Sequence, residues 1–184
     1  MALQRIDDPN DLASFTEWKE NPDAGVLPPR WRYLAPTNVY GYGDLTLTLS
    51  IDTEVTLMVC RQKFFNGDFA EGASCILGAN EGANLPIHIT FDPPVARVGA
   101  FVSADTKPGE DYLRQLGVKA LGADDWDVLT ATAPITRKRG SAPFLGARYG
   151  AGTRISEIWF DVVNVPGNNF DIAQVAIGNL FYTE

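Results

Sequence analysis

From Glu157 to Val162 the chain alternates without a break. Ile158, Phe160 and Val162 fall on one set of positions, and Glu157, Trp159 and Asp161 on the other. A period of two puts each set on its own side of an extended backbone, so this stretch is a strand with one buried face. Pro166-Gly167-Asn168-Asn169 then favours turn geometry. A second apolar run, Val175 to Tyr182, follows. The expected unit is two antiparallel strands at the heart of a β-sandwich.

Other stretches repeat the pattern. Leu45, Leu47 and Leu49 alternate with threonines, and Val55 to Cys60 returns after the Asp52-Thr53 turn. Ile87, Ile89 and Phe91 share one face, with His88 on the other. Asp92-Pro93-Pro94 is expected to break that strand. Val98, Ala100 and Val102 mark the next one, and Trp126 to Thr132 pairs back after Asp124-Asp125. Seventeen glycines and twelve prolines supply the turns that many short strands need. Near the start, Asp8-Pro9 and Asn10-Asp11 look like a helix N-terminus. Leu12, Phe15 and Trp18 fit one helical face, so a short N-terminal helix is expected before Asn21-Pro22. A chain of 184 residues accommodates this as one β-sandwich domain over residues 1–184.

The charge narrows the partners. A net charge of −8 repels nucleic acid and anionic membrane. No apolar run is long enough for a bilayer helix, so no membrane insertion is expected. The N-terminal MALQRIDDPNDL lacks the basic and apolar regions of a signal peptide, so the expected location is cytoplasmic, or outside the cell by another export route or as a mature fragment. The two cysteines, Cys60 and Cys75, form either a bridge or a pair of buried thiols. With His88 as the single histidine they cannot supply four zinc ligands.

The same scarcity limits catalysis. Any Ser-His-Asp or Cys-His arrangement must use His88, which sits mid-strand. Glycoside hydrolysis needs two carboxyl groups about 5–10 Å apart. Glu157 and Asp161, four residues apart on a strand, are separated by roughly 13 Å. Asn66, Asp68 and Glu71 share a glycine-containing loop, and oxygen donors of this kind suit a structural calcium ion. The glycine clusters 41–43 and 146–152 precede strands, not helices, so they do not cradle phosphate.

Aromatic side chains are the strongest lead. Trp31, Tyr40 and Tyr42 fall in irregular or turn-rich sequence, and Trp126 and Tyr149 sit at turn-like positions. The C–H faces of sugars stack on such rings while charged and amide groups bond the hydroxyls. Arg148 and Asp127 are the polar groups expected to do so.

Several motifs in the second half also carry a resemblance. They are Pro94-Val95 with Gly99 and Phe101, then Phe144-Leu145-Gly146, Ile155-Ile158-Phe160, and Ile177-Asn179-Leu180-Tyr182. In order and spacing they resemble domains of bacterial extracellular proteins sorted by the PEP-CTERM system. Gly178 stands where that pattern has an aspartate, and the sorting tail is absent. The resemblance implies an extracellular or exported, jelly-roll β-sandwich similar to galactose-binding-like carbohydrate modules. The expected function is then non-catalytic binding of a carbohydrate or surface polymer. The alternative is a structural or assembly module of a surface layer, and a glycoside hydrolase or lyase ranks third.

Overall fold

The computed structural model describes residues 2–16, 18, 31–51, 55–61, 65, 68–69, 75–80, 86–136, 138, 140–150, 152–168 and 171–184. Among these, the strands in chain order begin with β1 (Gln4–Ile6), β2 (Ser14–Thr16), β3 (Trp31–Tyr33), β4 (Thr37–Tyr42) and β5 (Leu45–Ser50). Next come β6 (Thr56–Arg61), β7 (Cys75–Asn80), β8 (Ile87–Val95), β9 (Arg97–Asp105) and β10 (Asp111–Ala120). The last are β11 (Asp127–Pro134), β12 (Phe144–Arg148), β13 (Ile155–Asn164) and β14 (Gln174–Thr183).

They form two antiparallel sheets. One has six strands in the order β11-β10-β13-β8-β5-β4. The other has eight, in the order β1-β12-β9-β14-β7-β6-β3, with β2 also paired to β14. From β8 onward the chain changes sheet at almost every step: β8, β10, β11 and β13 lie in the first, and β9, β12 and β14 in the second.

Alternation decides which side chains meet between the sheets. Leu47 and Leu49, Ile87 and Ile89, Leu116 and Val118, and Ile158 and Phe160 all point inward from the six-stranded sheet and are fully buried. Val98, Ala100, Val102, Val175 and Ile177 face them from the other sheet. Burial of apolar area on this scale is the main force holding two sheets face to face.

The two C-terminal strands are central, but they are not a pair. β13 lies between β10 and β8, and β14 lies between β9 and β7, in the opposite sheet. The Pro166–Asn168 stretch therefore carries the chain across the sandwich instead of closing a hairpin. β6 and β7 do pair, with Cys60 opposite Ile76 and Cys75 opposite Arg61.

Two further expectations change. The N-terminal helix is a single 3-10 turn, Pro9–Asp11, capped by Asp8, whose carboxylate accepts the Asn10 amide at 2.9 Å. Leu12 is already extended, and β2 follows. The spacing of Leu12, Phe15 and Trp18 suits a helix, but their partners differ. Phe15 packs at a tilt on Phe181, 5.8 Å between ring centroids, outside the sheet, while Trp18 is fully buried and donates its Nε1–H to the Gly178 carbonyl at 2.7 Å. Asp92-Pro93-Pro94 does not end its strand. β8 runs on to Val95, and the ladder to β13 shifts register there, jumping from Glu157–Thr90 to Ile155–Val95. Prolines have no N–H to give, so a bulged position is where they fit.

Candidate functional site

The outward set of β13 builds the site. Because Ile158 and Phe160 turn inward, Trp159 must turn out. It stands opposite Gly117 of β10 on one side and His88 of β8 on the other. Gly117 leaves room for the indole to lie flat against the sheet: a methyl group there would sit 2.0 Å from Trp159 Cε2 and 2.1 Å from Nε1. Trp126 comes from the turn between β10 and β11. That turn is closed by the Ala123 amide on the Ala120 carbonyl at 3.0 Å, with Gly122 at φ +78°. The turn delivers Trp126 to 6.4 Å from Trp159 and 6.1 Å from His88, measured between ring centroids. All three rings are half-buried, with Trp126 inclined 55° to Trp159 and 75° to His88.

Charged groups frame the rings. Lys119 Nζ lies 5.7 Å from the centre of the Trp126 ring and 3.4 Å from Glu157 Oε1. The ammonium is thus held by an ion pair and by the ring quadrupole together. Val128, exposed on β11, extends the apolar floor beyond Gly117.

Burial among these rings penalises the charged imidazole and lowers the His88 pKa from its ordinary value of about 6.5, while Glu157 acts in the opposite direction. A depressed histidine pKa means that the unfolded chain takes up the proton first. Its contribution is therefore fully present above about pH 6.5 and is lost as pH falls through the folded value. Melting of wild type and His88→Gln at about pH 7 and pH 5 checks this. The difference between the two should move against the wild type on acidification. A shift in its favour would mean that the Glu157 field dominates.

Of the ligand-binding candidates read from sequence whose side chains are described, Trp126 alone joins this platform. Tyr40 is buried and Tyr42 partly so. They stack on each other at 6.4 Å, facing the core from β4, and Trp18 packs edge-on against Tyr40. Tyr149 is buried, and its hydroxyl donates to Asp127 Oδ2 at 2.8 Å, with the Val118 carbonyl at 3.2 Å. Burial and that bond raise the Tyr149 pKa. The Asp127 carboxylate is therefore engaged by Tyr149. Arg148 lies on the eight-stranded sheet, where its Nε donates to Gln4 Oε1 at 2.9 Å. The backbone of Trp31, on β3, pairs with Cys60 of β6, and its side chain lies outside the described residues.

Asn66 and Glu71 also lie outside the described residues. Asp68 is fully buried beneath the loop after β11. Its Oδ1 accepts the Thr136 amide at 3.0 Å, and its carbonyl accepts the amides of Ser141 and Ala142. The charge of Asp68 acts on Arg114, which is buried on the inner face of β10. Here the carboxylate organises a loop next to a guanidinium.

Sequence reasoning does not reach Lys119 or Gly117, weighs His88 and Glu157 only as catalytic groups, and places Trp159 on an outward strand face without assigning it a ligand. Trp159 carried a readable signal, an indole on the outward set of a strand. The role of Gly117 depends on register and is visible only once β10 and β13 are paired. No family model, no curated protein and no solved structure matches the chain.

Proposed function

We propose that this chain is a non-catalytic carbohydrate-binding module that holds its ligand on the Trp159–Trp126–His88 face. The observation that carries the reading is the Trp159 indole laid over Gly117, with two more rings within 6.4 Å of one another along the cluster. A half-buried indole held on a sheet face gives a sugar's C–H surface a partner that does not have to reorganise. Lys119 and Glu157 stand beside it with donors and acceptors for hydroxyls. The sheet changes from β8 to β14 support a jelly-roll arrangement. The motifs resembling PEP-CTERM-type domains are carried by buried residues such as Val95, Ile158 and Phe160, so they speak for the fold and leave the site to its own chemistry.

The test is calorimetric titration of neutral oligosaccharides into wild type, Trp126→Ala and Trp159→Ala. Removing a stacking ring should weaken binding by about tenfold or more, equivalent to about 1.4 kcal/mol. Both variants should still unfold cooperatively. Wild-type affinity in both variants, or no binding by the wild type, would remove the platform.

One observation favours an assembly role as the second reading. Phe15 is 57% exposed and packs at a tilt on the half-buried Phe181, which leads through Phe101 to a buried Phe144 on the outer face of the eight-stranded sheet. Exposed aromatic patches mark interfaces. Concentration-dependent sedimentation that Phe15→Ser abolishes would put this reading first.

A further inference from the structure

The rings do not stand alone on their face. Register places Gly117, Trp159, His88, Ser50 and Thr37 in one row that crosses the strands from β10 to β4. The neighbouring row is Lys119, Glu157, Thr90, Thr48 and Val39. One end of this double row is aromatic and the other consists of small hydroxyls. Thr90 and Thr37 are exposed, and Thr48 and Ser50 are half-exposed.

We infer that the site holds an internal stretch of an extended, neutral glycan laid across the strands from β10 to β4; this rests on the carbohydrate reading above. Three observations carry it. The first is length. Five adjacent strands span four gaps of roughly 4.8 Å, about 19 Å in all. A pyranose in an extended chain advances by about one such gap, so about four sugar units fit the row.

The second is that both ends are open among the described residues. At the β11 end Val128 is 47% exposed, and at the β4 edge Val39 is 64% exposed. β11 and β4 are the two edges of the sheet. Among the described residues both edge positions are exposed, which suits a polymer that continues past them.

The third is charge. Lys119 is paired with Glu157, and Asp92 lies exposed in the next row, opposite Thr46. Acidic groups dominate the face of a chain whose net charge is −8. Uronic or sulfated chains would be repelled. A neutral chain instead meets indole faces at one end and threonine and serine hydroxyls at the other.

The experiment is calorimetry with unbranched neutral oligosaccharides of two to six units from the xylose, glucose and mannose series. For the series that binds, affinity should rise by about tenfold from two units to four and then level off. Borohydride reduction of the hexamer's end should leave its affinity unchanged. In the double variant Ser50→Ile, Thr90→Ile the strand preference is kept and two hydroxyls are lost. Its hexamer affinity should fall to about that of its disaccharide, so the gain with length should disappear. Length-independent binding that Trp159→Ala abolishes would overturn the extended-chain inference while leaving the platform standing. Loss of binding on end reduction would do the same. If no length of any series binds, both readings fall together.

Discussion

Arg114→Ala is expected to destabilise the fold by about 3–5 kcal/mol, the range for breaking a buried charged network from one side. In a chain of this size that corresponds to a melting temperature lower by roughly 10 °C. Arg114 occupies an inward position of β10, between Tyr112 and Leu116, where a hydrophobic residue would ordinarily stand. It is fully buried, and burial pushes its pKa down to about 10 against the opposing fields of Asp68 and Asp111. Its Nε donates to the Val102 carbonyl in the opposite sheet at 3.2 Å. Its Nη1 donates to the Ala133 carbonyl of the β11 edge at 2.6 Å. One guanidinium thus ties both sheets and an edge strand, with the bond to Val102 buried and that to Ala133 partly so. Alanine would leave a cavity, those carbonyls, and a buried Asp68 without the compensating charge. Arg114→Met restores most of the volume and isolates the polar part of the effect. Methionine should recover less than half of the loss. Urea unfolding of the two variants measures both, and a loss under about 1 kcal/mol for alanine would mean that the carbonyl bonds are dispensable.

The sandwich was readable because its strands bury one face each. Ile158, Phe160 and Val162 alternate with outward residues, and that alone fixes β13 as a half-buried strand. Which sheet each strand joins was not readable. Two apolar runs joined by a turn suit a hairpin and a crossover equally well, and the choice here falls to packing across the core. The N-terminal segment was misread for a related reason. Positions 12, 15 and 18 repeat at helical spacing, yet Phe15 faces out onto Phe181 and Trp18 faces in toward Gly178. Spacing alone cannot report that two residues serve opposite sides of a sheet.

The site was partly legible. Trp126 stood out because it follows Asp124-Asp125 at a turn, where a large ring needs a reason. Tyr40 and Tyr42 looked equally placed, among glycines and prolines, but they are two apart on β4 and share its inner face with Leu45 and Leu47 opposite. Gly41 between them belongs to the outer face. Asp127 and Tyr149 were both named, and the structure brings them together, but as a hydrogen-bonded pair at the rim of the core. Arg114 left no trace in the sequence beyond its polarity at an apolar position, and its partners are main-chain carbonyls that no side-chain motif announces.

Gly117→Val is expected to abolish the platform while leaving the sandwich folded. A β carbon at this position would fall within 2.0–2.6 Å of three Trp159 ring atoms, well inside van der Waals contact. The backbone of β10 is fixed by ladders to β11 and β13 on its two sides, so it cannot retreat. Trp159 is half-exposed and can turn, so the ring is what yields. Valine suits a strand better than glycine does, which offsets part of the lost ring contact. The net change in stability should stay within about 1–2 kcal/mol. The change at the site should be large. With Trp159 lifted from the sheet, its 6.4 Å approach to Trp126 is lost, and with it the geometry that joins the rings of β8, β13 and the turn. Near-ultraviolet circular dichroism should lose the tryptophan signal of the coupled indoles, and oligosaccharide affinity should fall by about tenfold or more. Gly117→Ala should give the same direction with a smaller loss, because a single methyl group already meets Cε2 and Nε1. If valine leaves both the dichroism and the affinity at wild-type values, the indole is not seated on Gly117 and the floor of the proposed site is elsewhere. Unchanged dichroism with lost stability would instead place the strain in the β10 backbone.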